Sequence, residues 1–198
     1  MNDHLFLSMR IKDLHKQEAI INATVELVNE IGFVSSSVSK IAKKANVSPA
    51  TLYIYYENKE DLLVSTYVEL KKKMGKELLK NIDISFPIRD IFFLFWKNTF
   101  NFIEKNRSFY KYSEQFSNSP YIELVDQAEL EKNFEPFLKI IQKGIEQKII
   151  KDVPFEILAA FIFYPVTSIS NSKLCTGTEI SDEIIETSFN LAWDAIKL

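Results

Sequence analysis

The chain has 198 residues, 46% of them hydrophobic and 26% charged, with four Gly, six Pro and a formal net charge of −3. That composition suits a folded chain of one ordinary domain or two small ones, and it excludes disordered, collagen-like and turn-dense all-β designs. A slightly acidic average gives no sign of a nucleic-acid partner, so any such sign has to be local.

The periodicity is helical along nearly the whole chain. From 16 to 31, Ile20, Ala23, Leu27 and Ile31 recur at helical spacing, and Gly32 stands where a C-capping glycine belongs. After the polar link Ser35-Ser36-Ser37, the residues Val38, Ile41, Ala42 and Ala45 form a two-turn stripe. Asn46-Val47-Ser48-Pro49 reads as a turn and a restart. Asn46 tolerates positive φ, Ser48 suits an N-cap, and Pro49 suits the first position of a short helix running to residue 56. Asn58 caps a fourth helix with Glu60 and Asp61 in its first turn and Leu63, Tyr67, Leu70, Met74 and Leu78 on one stripe. Residues 81–87 are the best domain boundary. The helix expected over 88–104 is apolar around most of its circumference, as a helix buried on several sides should be. Further helices are expected at about 108–117, 121–133, 136–150, 154–172 and 180–197, with Pro165 kinking one of them and Gly177 marking a turn. No strand alternation persists, so the fold class is all-α.

The local charge is more telling than the average. Residues 1–80 carry a net +2 and residues 81–198 a net −5. Residues 31–56 hold no Asp or Glu but include Lys40, Lys43 and Lys44; on charge alone a phosphate-facing surface and a solvated lysine face fit equally. The same stretch has the anatomy of a helix-turn-helix over 38–56. In the second of its helices, Leu52 and Tyr56 at i and i+4 face the core. Pro49, Thr51, Tyr53 and Tyr55 face outward with hydroxyls and apolar groups suited to base edges, and Lys59 reaches a backbone phosphate.

These residues resemble the signature of the TetR/AcrR family of bacterial transcriptional regulators: Ile41-Ala42, Val47-Ser48, Thr51-Leu52-Tyr53, Tyr55-Tyr56 and Lys59-Glu60-Asp61-Leu62. At motif level the resemblance covers the first third to two-fifths of the chain; the remainder matches in length and helical character. Asn46 stands where the family usually has Gly, Val38 where a hydroxyl residue is common, and Ala50 where Gly is frequent. The resemblance implies an N-terminal three-helix DNA-binding domain over 1–60 and a helical effector-binding and dimerisation domain over 61–198. Helix 4, about 59–80, connects them. It implies double-stranded operator DNA as partner, contacted by Ser37, Ser39, Ser48, Pro49, Thr51, Tyr53, Tyr55 and Lys59. It implies a homodimer, a repressor role and a small apolar or aromatic effector, with no cofactor and no metal.

Eleven aromatic residues crowd 86–116. They line an effector pocket or simply form the core of a small helical domain. The pocket expectation names Phe92, Trp96, Phe100, Tyr112, Phe116, Phe161 and Tyr164. The family's dimer interface, carried onto the last two helices, names Phe163, Val166, Ile185, Phe189, Ala192 and Ile196. An enzyme is the rival class. His4 and His15 lie in an N-terminal arm, and Cys175 has no histidine near it in sequence. No nucleophile elbow, phosphate-binding glycine loop or HExxH is present. A lone cysteine also excludes an intramolecular disulfide framework. The longest wholly apolar run, the ten residues 157–166, is too short for a bilayer, and residues 1–15 lack a signal-peptide pattern. A cytoplasmic regulator without a membrane partner is expected; the alternative is a helical protein-interaction module whose helix-turn-helix is structural.

Overall fold

The computed structural model describes residues 3–170 and 180–198, with the backbone alone for 3–12. Cys175, Gly177 and the end of the helix expected at 154–172 lie outside the described residues. In chain order the helices are α1 (Asp3–Ser35), α2 (Val38–Lys44), α3 (Pro49–Tyr55), α4 (Lys59–Leu78), α5 (Ile88–Lys105) and α6 (Arg107–Ser117). A 3₁₀ turn (Pro120–Leu124) follows, then α7 (Gln127–Lys132), α8 (Glu135–Glu146), α9 (Phe155–Ile162), α10 (Tyr164–Ile169) and α11 (Asp182–Ile196). Among the described residues there is no β-strand, only an isolated antiparallel pair, Ile150 with Lys197. No helix among them is long and apolar enough to cross a membrane. The all-α expectation is met.

Several boundaries differ from the sequence reading, each for a local reason. α1 begins at Asp3 and not near 16, because no Gly or Pro interrupts it before Gly32; His4 and His15 therefore belong to a helix and not to an arm. Gly32 breaks that helix with φ 77 and ψ 169, a conformation open essentially to glycine alone. The helix expected at 121–133 is split, since Val125 is extended between the 3₁₀ turn and α7. α8 stops short of 150 because Lys148 takes φ 55. Its N–H returns to the Ile145 carbonyl, and the Ile149 N–H returns to that of Gly144, closing a Schellman-type end. Pro165 does more than kink: it stands at the second position of α10, and the chain leaves α9 at Phe163. Asn46 adopts φ 55, as its place in the turn requires.

The chain packs as two compact units, one of Met1–Leu70 with Ser108–Asp126, the other of Lys71–Arg107 with Gln127–Leu198. This grouping does not follow a division at residue 60: α6 and the 3₁₀ turn pack with the N-terminal helices. The core of the first unit's head is Ile20, Ala23, Leu27, Ile41, Ala42, Leu52, Tyr56 and Leu62. Beside it Tyr112 is fully buried, and its hydroxyl donates to the Leu63 carbonyl at 2.9 Å, which removes the cost of an unmade hydrogen bond. The second unit is organised by α5. Phe95 stacks on Phe137 at 3.9 Å between centroids, Phe92 meets Trp193 at 5.4 Å, and Phe93 meets Phe189 at 5.0 Å. Fully burying each such ring contributes roughly 1.5–3 kcal/mol.

Candidate nucleic-acid interface

α2 and α3 are short, seven residues each, and a helix of that length does not stand alone in water. Caps and core contacts hold them. Ser37 caps α2, its Oγ accepting the Lys40 N–H at 3.4 Å. Ser48 caps α3, its Oγ accepting the Thr51 N–H at 3.1 Å and lying 2.9 Å from the Thr51 hydroxyl. Pro49 takes the first helical position, where the missing N–H costs nothing. Leu52 and Tyr56 point inward and are buried. Burial pushes the Tyr56 phenol up to about 12, aided by the nearby charges of Glu69 and Asp61.

The outward side of α3 differs from the expected set. Ser37, Ser39, Ser48, Pro49 and Tyr53 are exposed, but Thr51 and Tyr55 are half-buried flanks. Tyr55 packs against the head core. Its hydroxyl donates to Asp13 Oδ1 at 3.1 Å, and burial, then this carboxylate, raise its pKa. Ile54, absent from the expected contacts, is 76% exposed beside Tyr53 at 58%. Its place could have been read from the sequence: with Leu52 and Tyr56 inward, residues 53 and 54 must point out.

The charge also redistributes. The acid-free stretch is not free of acids in space, for Lys44 pairs with Glu30 at 2.7 Å and Glu26 at 3.3 Å, both on α1. These hydrogen bonds, Glu30 first, raise the Lys44 pKa. Lys40 donates to the Ser35 carbonyl at 3.0 Å. Lys59 donates to the carbonyls of Phe33 at 2.7 Å and Val34 at 3.4 Å. An ammonium has three N–H donors, so Lys59 keeps one beyond these two. The sequence could place Glu26 and Glu30 on one face of α1 but not say which helix that face meets.

The expected pocket residues fall into two clusters, one in each unit. In the first, Tyr112 and Phe116 gather with Phe33, Tyr67 and Tyr121, because α6 packs with α1 and α4. In the second, Phe92, Trp96 and Phe100 are buried on α5, whereas Phe161 and Tyr164 are 54% and 65% exposed. The Trp96 indole N–H is buried and has no hydrogen-bond partner among the described residues. Phe100 borders a cleft of about 240 Å³ shared with Asn101, Glu104 and Arg107. The expected interface stripe is largely consumed within the protomer. Val166, Ile185, Phe189, Ala192 and Ile196 are buried, and Phe163 turns toward Phe95 and Phe137 at 5.3 and 5.5 Å. The same helices instead expose Ile157, Phe161, Tyr164 and Leu191.

Comparison with known proteins agrees with this anatomy. Residues 20–66 match the model described as bacterial regulatory proteins, tetR family, and residues 87–197 match the model described as tetracyclin repressor-like, C-terminal domain. The fold is similar to a solved TetR family transcription regulator from Marinobacter aquaeolei VT8, with a TM-score of 0.86 and 35% identity, covering 95% of this chain and 98% of that one. An uncharacterised HTH-type transcriptional regulator of Haemophilus influenzae is 23% identical over 91% of this chain and 95% of its own length. The fatty acid metabolism regulator protein of Bacillus subtilis is 49% identical over 61 residues, which span 31% of this chain and only 30% of that protein. These relatives are regulators and not enzymes. With matched models over both its helix-turn-helix and its C-terminal helices, the chain belongs to the TetR family of DNA-binding transcriptional regulators.

Proposed function

We propose that the chain is a cytoplasmic repressor that binds a palindromic operator as a homodimer and leaves it when a small apolar or aromatic effector binds. The observation that carries the DNA part is the outward face of α3. Tyr53 and Ile54 are exposed on a helix that Ser48 caps and Leu52 anchors, a rigid mount for side chains that the head itself does not use. In this reading Tyr53, Ile54, Thr51 and Pro49 meet base edges, Ser37, Ser39, Ser48 and Lys59 meet phosphates, and Tyr55 supports them from the flank. Residues 1–60 do the reading, and 61–198 receive the effector and the second copy.

The dimer reading rests on Ile157, Phe161, Tyr164 and Leu191. These are large apolar side chains at 48–71% exposure on α9, α10 and α11, helices that otherwise bury their apolar stripes. Two helices from each copy make a self-complementary interface of the kind twofold dimers use.

The effector reading rests on Trp96. The Trp96 indole N–H is buried without a partner among the described residues, which is rare in native structures; in this reading a ligand acceptor among the α5 aromatic rings would satisfy it. An acyl chain belongs to the apolar class proposed, and the Bacillus subtilis relative is a regulator of fatty acid metabolism. Two residues after Trp96, the Asn98 amide donates to the Leu78 and Lys80 carbonyls at 3.0 Å each, tying α5 to the end of α4. A ligand that displaces α5 therefore pulls on the helix that begins at Lys59. The coupling is reciprocal: operator weakens effector binding by the factor by which effector weakens operator binding. Titrating an apolar aromatic ligand with and without operator tests this. Unequal affinities by matching factors support it; identical affinity in the two titrations refutes induction by this route.

A further inference from the structure

The last four carbonyls of a helix have no partner inside it. After the break at Gly32, the closing turn of α1 presents the carbonyls of Gly32, Phe33, Val34 and Ser35, and each is met by a side chain, that of Phe33 also by the Ser36 N–H at 3.3 Å. The Ser36 hydroxyl donates to Gly32 at 2.7 Å. The Lys59 ammonium serves Phe33 at 2.7 Å and Val34 at 3.4 Å, and the Lys40 ammonium serves Ser35 at 3.0 Å. Cations suit this place through charge-assisted hydrogen bonds to these carbonyls. Lys40 comes from α2 and Lys59 from α4, so two helices of the head are pinned to one corner of α1.

Phe33 has a second attachment. Its ring lies 5.7 Å from that of Tyr112, 6.0 Å from Phe116 and 5.5 Å from Tyr121. The first two stand on α6 and the third in the 3₁₀ turn. One residue thus holds the Lys59 ammonium by its carbonyl and the α6 aromatic cluster by its ring.

We infer that Phe33 is a positioning residue for the operator contact of Lys59, and that its ring makes this contact depend on the position of α6. The inference rests on the reading of Lys59 as a phosphate contact. Lysine is a flexible four-carbon stem with three rotatable donors. Two of those donors on the α1 carbonyls fix where the third points. Moving the Phe33 ring moves its carbonyl, and with it the ammonium. Such a route passes from α6 to the DNA-facing surface within the first unit and does not require α4 to swing.

The test uses the full chain with Phe33→Leu, Lys59→Ala and the double variant. Binding to operator and to unrelated duplex is measured across a salt series, with helical content and melting followed by circular dichroism. Lys59→Ala lowers affinity for all sequences and reduces the salt slope by about one phosphate per head. Phe33→Leu is expected to do the same in kind, on the order of three- to tenfold, with sequence preference unchanged. The double variant is expected to bind no worse than Lys59→Ala. If Phe33→Leu fails to fold, Tyr121→Ala, which removes one of the three ring neighbours, takes its place with the same expectation. A lowered melting point with wild-type affinity and slope means that Phe33 is only packing, and overturns the inference. So does a double variant whose losses add. If Lys59→Ala itself leaves the slope unchanged, the phosphate reading fails, and the inference with it.

Discussion

Ser48→Asp separates the two tasks that the reading of α3 gives to Ser48. As N-cap, Ser48 satisfies the Thr51 N–H and shares a hydrogen bond with the Thr51 hydroxyl. Removing both by Ser48→Ala costs about 1 kcal/mol, up to about 2, in a helix of seven residues. Aspartate caps as well as serine does, so Ser48→Asp is expected to keep stability within about 0.5 kcal/mol of wild type. DNA binding should behave differently. A phosphate that Ser48 contacts would stand about 4 Å from the new carboxylate, where like charges repel by about 1 kcal/mol in water and about 4 kcal/mol near a protein surface. At about 1.4 kcal/mol per tenfold, each head loses about fivefold to several hundredfold in affinity. The loss shrinks as salt rises, since exposed charges are screened. Urea denaturation gives the stability and anisotropy of a labelled duplex gives the affinity. Wild-type DNA binding by Ser48→Asp would remove the phosphate contact from Ser48, and unfolding as ready as that of Ser48→Ala would remove the capping role.

Three other outcomes follow from particular residues. Gly32→Ala forces a side chain into φ 77, ψ 169 and is expected to cost about 1–3 kcal/mol, read from the urea midpoint; an unchanged midpoint would contradict the assigned backbone. The buried Tyr56 phenol is pushed up to about 12, above its unfolded value near 10, so its share of stability is full below about pH 10 and is lost as pH rises through about 12. The fall in stability over that window should be smaller by about 2–3 kcal/mol in Tyr56→Phe than in wild type; equal falls would remove the assignment. Asp13→Asn takes one negative charge from beside Tyr55 while keeping an acceptor for its hydroxyl. It should tighten binding to any duplex by about two- to fivefold at low salt, as for a single surface charge, and no change would place Asp13 away from the DNA.

The head was largely legible in the sequence because its signals are local. Ser48 before Pro49, Asn46 in the turn, and the inward pair Leu52 and Tyr56 depend on neighbours within four residues, and each stands where the spacing put it. What escaped the sequence depends on which faces meet. The periodicity correctly found apolar stripes on α9 to α11, but a stripe that packs inside a protomer looks the same as one awaiting a second copy. Phe189 and Ile196 turned out to be buried, while Leu191, between them, is exposed. Tyr112 and Phe116 read as partners of Trp96 because all are aromatic and close in sequence, yet α6 packs them with Phe33 and Tyr67. Lys44 illustrates the same gap in electrostatics: its counter-ions, Glu26 and Glu30, lie outside the acid-free window that made it conspicuous. The start of α1 was missed for a different reason. A mixed polar and apolar segment without a clear stripe reads as an arm, although nothing in it breaks a helix.

The central claim, that two copies of this chain read a symmetric operator through α3, is tested most directly by selecting bound duplexes from random DNA with the purified protein. Enrichment is expected of an inverted repeat whose half-sites recur about 10 base pairs apart, or a multiple of that spacing, as twofold-related reading helices require. Thr51→Ala should shift the enriched bases, while Lys59→Ala should lower the yield without shifting them. Enrichment of no inverted repeat, or of the same bases by both variants at the same yield, would contradict it.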